Sequence, residues 1–283
     1  KVRIEESNNG KDGDFVETYE GSIENTDIRI FQSSNPYPEK IAKDHLGIYT
    51  YKYEKRIHTE FTISIPEGED FDLKDIYLSI TNNSFKTDIL KGINFHSYKS
   101  EAVCLIGPSG SGKSSLISIM GGLEKPTKGS VLVNNKNITE LDESKLAEFR
   151  KQNIGIVFQS FHLLPNLTAI ENVELPLQLL KSDRIKQLSS EALKKVGLSS
   201  RENHLPSQLS GGEQQRVALA RAFIGSPKII LADEPTGNLD SKSSSMIIDM
   251  LFSLKEENKT TLIFATHDER LSKKCDRITE IKD

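Results

Sequence analysis

Residues Gly107–Ser114, GPSGSGKS, sit between the apolar run AVCLI and the helix-like stretch SLISIM. A loop this rich in glycine and serine costs backbone entropy on folding, so flanking structure must hold it in place. The segment matches the pattern G-x-x-x-x-G-K-[ST] in the setting that gives the pattern meaning, with a strand before it and a helix after. Glycines let backbone N–H groups converge on an anion with no Cβ in the way. The start of the helix adds free N–H groups and a positive dipole end. Lys113 is placed to reach the β- and γ-phosphates of a nucleotide as a point charge, and Ser114 to offer its hydroxyl to Mg²⁺. Gly107, Pro108, Ser109, Gly110, Ser111, Gly112, Lys113, Ser114 and Ser115 are therefore the candidate nucleotide-binding residues.

The rest of the chain agrees with a sheet built around that loop. From about Phe71, apolar runs alternate with helical patterns. The strand candidates are 103–107, 130–134, 154–158, 228–233 and 260–266. The helix candidates are Lys113–Met120, Ile185–Val196, Glu213–Ile224 and Ser243–Lys255. Several of the runs are continuously apolar, as expected of strands covered on both faces. The alternation predicts an α/β domain with a mostly parallel sheet.

Residues 1–72 differ. They carry nine Lys/Arg against sixteen Asp/Glu, a net charge of −7, which leaves +3 for the remainder of a chain whose total is −4. Turn-like NNGKDGD and SSNPYPEK flank alternating runs at 27–31 and 60–65. This predicts an acidic, β-leaning accessory region at 1–72, the alternative being a partly disordered arm, followed by a second domain at 73–283. The 283 residues fit one standard domain plus a smaller one. No stretch approaches the roughly eighteen apolar residues of a membrane span. The overall charge does not call for nucleic acid as a partner. Two cysteines, Cys104 and Cys275, make no disulfide framework, and both are expected in strands as small buried hydrophobes, which favours the cytosol. The chain starts at Lys1 rather than Met, as a trimmed product would, and its acidic first residues do not read as a signal or transit peptide.

Two further clusters carry chemistry. KIILADEP places Asp233 at the end of an apolar strand, within reach of a metal held by the loop, with Glu234 next to it and free to orient a water. In LSGGEQQRVALARA, Ser210 is a good N-cap and Gly211 and Gly212 leave N–H groups bare, making a second anion site at a helix start; an ordinary capped helix is the competing reading.

Residues from about 71 to 283 resemble the nucleotide-binding domain of ABC (ATP-binding cassette) transporters. The Walker A motif is Gly107–Ser114, the Q-loop residue is Gln159 in VFQSFHLLP, and the signature is Leu209–Glu213. Walker B is Ile229–Glu234, the D-loop Asn238–Asp240, and the switch histidine His267 in ATHD. FQSFHLLPNLTAIENVELPL and LADEPTGNLDS are similar to the branch of lipoprotein-release, macrolide-export, antimicrobial-peptide-resistance and cell-division ATPases, whose members pair with four-span permeases. The resemblance implies a P-loop NTPase fold of ABC type: a mostly parallel core sheet, an antiparallel β subdomain and a helical subdomain, here with the small N-terminal region added. It implies an Mg-dependent ATPase with ATP and Mg²⁺ as cofactors. Glu234 and His267 would be catalytic, and Ser114, Gln159 and Asp233 would arrange the metal. It implies two copies sandwiching ATP between the P-loop of one and Ser210, Gly211 and Gly212 of the other. It further implies a membrane permease partner met by residues 160–225, and a cytoplasmic place on the inner face of the cell membrane. A regulatory ATP-binding scaffold with little turnover is the alternative, and the intact Glu234 and His267 argue against it. A DNA-repair ATPase would need long heptads between Gln159 and Ser210, where only fifty residues lie. One departure concerns the base. The aromatic that stacks on adenine in the family falls at Ile80 here, with Tyr77 and Phe85 as nearby substitutes.

Overall fold

The computed structural model describes residues 3–7, 19–23, 26–30, 39–43, 49–52, 58–64, 69–82, 85–134 and 136–281. The chain divides into two compact units, Lys1–Glu67 and Gly68–Asp283. The first unit is all strand among its described residues. β1 (Arg3–Ser7), β4 (Glu39–Lys43), β5 (Tyr49–Lys52) and β6 (His58–Ser64) form an antiparallel sheet in the order β1-β6-β5-β4, and β2 (Tyr19–Ile23) pairs with β3 (Thr26–Ile30) as a separate ribbon.

The second unit opens with a long antiparallel pair, β7 (Glu69–Asn82) and β8 (Phe85–Tyr98), so β7 begins ahead of the composition boundary at Asp72. Next come β9 (Ala102–Ile106), α1 (Lys113–Met120), β10 (Lys128–Val133), β11 (Lys136–Asn137), α2 (Glu143–Asn153), β12 (Ile154–Val157), α3 (Ala169–Leu179) and α4 (Ile185–Lys195). After two 3₁₀ turns come α5 (Gly211–Phe223), β13 (Ile229–Asp233), α6 (Ser241–Asn258), β14 (Thr261–Ala265), α7 (Glu269–Ser272) and β15 (Arg277–Glu280). A fully parallel sheet runs β12-β13-β14-β9-β15. An antiparallel sheet runs β11-β10-β7-β8.

Two cores lie on the two faces of the parallel sheet, and strict alternation feeds them. Ala102 and Cys104, Ile230 and Ala232, and Leu262 and Phe264 point into one cluster, with side chains from α3 to α6. Their neighbours Val103 and Leu105, Ile229 and Leu231, and Ile263 and Ala265 point into the other, with α1 and the antiparallel sheet. Double burial of this kind is why these strands read as unbroken apolar runs.

Two expectations need correction. The run at 130–134 is a strand, but it belongs to the antiparallel sheet. Cys104 is fully buried in β9, whereas Cys275 lies in the turn before β15, half-buried, with Sγ 3.1 Å from the carbonyl of Leu271. A hydrogen bond with Cys104, aided by burial, pushes the Cys275 thiol pKa up and keeps it protonated.

Candidate active site

The P-loop leaves β9 and becomes α1. Gly112 is the N-cap of that helix at φ 87, and a Cβ there would fall 2.5 Å from Leu90 Cδ2, so the turn needs glycine both for its conformation and for its close approach to β8. No side chain caps α1, so its first N–H groups are left to the loop. Lys113 folds back over the loop and donates to the carbonyls of Gly107 at 2.9 Å and Pro108 at 2.8 Å. Its ammonium is thereby held in the bowl the loop encloses, with only 7% of the residue exposed.

Three strand ends converge on that bowl. Ser114, in the first turn of α1, donates its hydroxyl to Asp233 Oδ1 at 3.0 Å, joining the end of β13 to the loop that follows β9. Glu234 follows directly and adopts φ 45, a left-handed conformation fixed by its N–H donating to the Ala265 carbonyl at the end of β14. That twist separates the two carboxylates. Glu234 instead accepts from the Thr266 hydroxyl and the His267 N–H, each at 3.4 Å, and its Oε1 lies 3.3 Å from His267 Nε2. The Glu234 side chain is 19% exposed and that of His267 59%, so the pair sits at the rim with the carboxylate sheltered.

Gln159 stands just beyond β12. Its side chain and carbonyl both pair with Asn238, whose Nδ2 donates to the Gln159 carbonyl at 3.1 Å and whose Oδ1 accepts from Gln159 Nε2 at 3.4 Å. Asp240 ends the same loop as the N-cap of α6, accepting from Lys242 N, Ser243 N and the Ser243 hydroxyl. These bonds, the Ser243 hydroxyl foremost, hold its carboxyl below the usual range.

Ser210 caps α5 in a reciprocal box. Its hydroxyl accepts from Glu213 N at 3.3 Å, while Glu213 accepts from Ser210 N at 2.8 Å and pairs with Arg201 at 3.1 Å. The Ser210 backbone N–H, with its hydroxyl and Arg201 adding to it, keeps the Glu213 carboxyl below its ordinary range. The box leaves the N–H groups of Gly211 and Gly212 in the first turn, and Ser210 itself is exposed.

Of the base-stacking candidates, Tyr77 is exposed on β7 with its hydroxyl end beside Gly92. Its hydroxyl would lie 2.8 Å from a Cβ on Gly92, and Lys128 Nζ stands 5.3 Å from its ring centre. Ile80 is half-exposed on β7, and the side chain of Phe85 lies outside the described residues.

Several supporting residues went unread in the sequence. Asn172 on α3 is fully buried, accepts from Leu164 N and donates towards the carbonyls of Leu164, Leu167 and Thr168, which fixes the loop after Gln159. Its signal was present: it is a polar residue on the helix face that also buries Ala169, Val173 and Leu177. Gln215, likewise buried, donates to the Pro235 carbonyl at 2.7 Å. Asp268 accepts from Arg270 at 2.6 Å and lies 3.5 Å from the Thr236 hydroxyl, linking the segment after β14 to the segment after β13. Arg270 holds the Asp268 carboxyl below its ordinary range. Arg221, which burial shifts to lower pKa, donates to the carbonyls of His162 at 2.7 Å and Phe161 at 2.8 Å.

This geometry can be set beside known proteins. The family model described as ABC transporter matches residues 90–237. The chain belongs to that family. The lipoprotein-releasing system ATP-binding protein LolD of Acinetobacter baylyi is 42% identical over 215 residues, 75% of this chain and 94% of LolD. The uncharacterized ABC transporter ATP-binding protein YbbA of Escherichia coli is 46% identical over 216 residues, again 75% and 94%. Among solved structures, the ATP-binding cassette MJ0796, described as a dimer in a post-hydrolysis state bound to ADP and Pi, is 42% identical with a TM-score of 0.70, covering 75% of this chain and 94% of its own. The resemblance drawn from the motifs, including its lipoprotein-release branch, is borne out, as is the ABC-type fold. This cassette is an ATP-binding and ATP-hydrolysing subunit, with its P-loop between β9 and α1. Among the described residues, no helix is long and apolar enough to cross a membrane.

Proposed function

We propose that two copies of this cassette close around ATP and, on hydrolysis, reopen to move a membrane permease from its cytoplasmic face. The observation that carries the reading is the convergence of Lys113, Ser114, Asp233, Glu234 and His267 on the ends of three adjacent parallel strands, β9, β13 and β14. The dimeric, ADP- and Pi-bound state named for MJ0796 supports the two-copy arrangement. LolD, named as part of a lipoprotein-releasing system, supports a membrane partner.

Lys113 and the P-loop amides hold the phosphates. The carbonyls of Gly107 and Pro108 that now accept from Lys113 keep its charge in place until phosphate oxygens share it. Ser114 and Asp233 are hard oxygen donors 3.0 Å apart at the loop's mouth, a donor set suited to Mg²⁺, with Gln159 the third candidate. Magnesium, when bound, neutralises charge on the β- and γ-phosphate oxygens. Glu234 orients the attacking water and takes its proton as the new P–O bond forms and the bond to the β–γ bridging oxygen breaks. His267, beside the same carboxylate, holds the geometry. ADP and inorganic phosphate leave. Ser210, Gly211 and Gly212 present the capped start of α5 to the γ-phosphate bound by the other copy. That contact exists only with ATP, so ATP favours the closed pair and hydrolysis releases it.

Glu234→Gln keeps size and water-holding but cannot accept a proton. Turnover is expected to fall by about 10²–10⁴-fold, with ATP binding retained. Light scattering should then find a dimer with ATP and a monomer with ADP. Adding Ser210→Arg should return the ATP-bound protein to monomer. A Glu234→Gln protein that remains monomeric with ATP, both alone and with the permease with which it co-purifies, would sink the two-copy mechanism.

A further inference from the structure

Asn238 makes two hydrogen bonds to one residue, and together they settle an orientation. A backbone carbonyl can only accept, so the bond to the Gln159 carbonyl identifies the Asn238 amide nitrogen without ambiguity. The Asn238 oxygen must then face the Gln159 side chain, where it accepts only from an N–H. The Gln159 amide is thereby oriented as well: Nε2 faces Asn238 and Oε1 faces away. Glycine at 237 permits the approach, since a Cβ there would fall 2.7 Å from Gln159 Nε2. The loop carrying Asn238 is itself braced by Gly237 N donating to the Glu234 carbonyl at 3.0 Å and Leu239 N to Thr236 at 3.1 Å.

We infer that Asn238 is a positioning residue for the metal, holding the Gln159 amide with its oxygen free for Mg²⁺ and its nitrogen turned from it. A glutamine amide rotates at little cost, and only the oxygen face can ligate a cation. Without the clasp, part of the population presents the nitrogen and binds no metal, which lowers affinity by the fraction misoriented. The inference rests on the proposed role of Gln159 as a metal ligand, and the test separates the two. It extends beyond positioning alone, because Asn238 stands one residue past Gly237 in the same loop as Glu234. A shift of that loop towards a second copy would turn the Gln159 amide and so report on the metal site.

The experiment titrates Mn²⁺ in the presence of ADP and reads free ion by electron paramagnetic resonance. It compares the full chain with Asn238→Ala, Gln159→Ala and the double variant. Loss of the clasp should weaken Mn²⁺ by about twofold, since a freely turning amide presents its oxygen about half the time, Gln159→Ala by more, and the double variant by no more than Gln159→Ala alone. Steady-state turnover supplies a second readout: Asn238→Ala should need more Mg²⁺ for half-maximal rate yet recover its kcat at saturating Mg²⁺. Asn238→Asp, which keeps the acceptor but loses the donor to the Gln159 carbonyl, should fall between wild type and alanine. Wild-type Mn²⁺ affinity in Asn238→Ala, an additive double variant, or a kcat lost at all Mg²⁺ concentrations would overturn the inference while Gln159→Ala still binds poorly. Wild-type Mn²⁺ affinity in Gln159→Ala would remove the ligand role itself, and the inference with it.

Discussion

Ile80 stands, half-exposed on β7, where the resemblance to the family places the adenine-stacking aromatic, while Tyr77 on the same strand lies beside Gly92 with Lys128 near its ring. An aliphatic side chain still offers apolar contact but no π-face. The missing stacking is worth on the order of 1 kcal/mol, about fivefold in affinity. Ile80→Tyr should therefore tighten ATP by about that factor, measured by competition with a fluorescent nucleotide, and should leave the fold unchanged because the position is open to solvent. No tightening would place the base away from β7. At this scale the sequence was legible where backbone chemistry dictated residue type. Glycine at 112, lysine at 113 and the acidic pair at 233 and 234 were each readable from spacing. What spacing did not convey was orientation. Asp233 and Glu234 are neighbours in sequence, yet the left-handed φ of Glu234 sends one carboxylate to Ser114 and the other to His267. Nor did the motif reveal that Gln159 is held by Asn238, a contact between two loops that only the folded sheet brings together.

Elements were legible in proportion to the regularity of their burial. α1 is found at the expected Lys113–Met120, and the parallel strands at their apolar runs, because both faces of that sheet are covered. The β7–β8 pair was not readable, and the reason is a bulge. Phe71 and Leu73 are buried, then Ile76 and Leu78, so the alternation slips by one residue at Lys74–Asp75, where the register with β8 shifts and Asp75 takes φ 49. Gly129 of β10 accommodates the bulge, since a Cβ there would lie 2.3 Å from the Asp75 carbonyl. α3 was hidden by Pro176 within it and by the buried Asn172. The loop after β12 shows what such polar burial achieves. Phe161 and His162 are both left-handed, at φ 60 and 48, at a cost of about 1–2 kcal/mol each. The Arg221 guanidinium on α5 offsets that cost by binding both of their carbonyls. Arg221→Ala should lose about 1–2 kcal/mol, because the Phe161 carbonyl is part-buried while the exposed His162 carbonyl can turn to water, as measured by urea unfolding. Arg221→Lys, able to serve only one carbonyl well, should recover about half. Faster amide exchange at Ser160–Leu164 should accompany the loss. A Q-loop that exchanges as slowly in Arg221→Ala as in wild type would show that Asn172 alone holds it.

For the whole molecule, the question is where the cassette starts. Composition places the boundary after Asp72, where the acidic segment ends, but charge reports solvent-facing residues and is blind to what a strand buries. β7 starts at Glu69, and its Phe71 is fully buried in the cluster that also holds Leu116, Ile119 and Met120 of α1, the helix that carries Lys113 and Ser114. Among the described residues, both hydrophobic clusters begin no earlier than Phe71, and every motif residue lies after Phe71 in sequence. These facts separate two truncations that differ by only a few residues. A chain of residues 68–283, the second compact unit, should fold, bind ATP and unfold within a few degrees of the full chain. A chain of residues 73–283 loses Phe71 and the start of β7, including the pairings of Phe71 with Ser97 and Val133. Removing a buried phenylalanine costs about 3–5 kcal/mol, which for a domain of this size lowers Tm by roughly 10 °C. Because the lost side chain packs on the α1 side of the sheet, ATP should restore part of that stability by binding only the folded form. Circular dichroism melts of the three chains, with and without ATP, decide the matter. Equal melting of 68–283 and 73–283 would show that Phe71 contributes nothing to the cassette's core. A 68–283 chain that melts well below the full chain would instead show that the acidic segment, β1 to β6, is part of the cooperative unit that supports the P-loop.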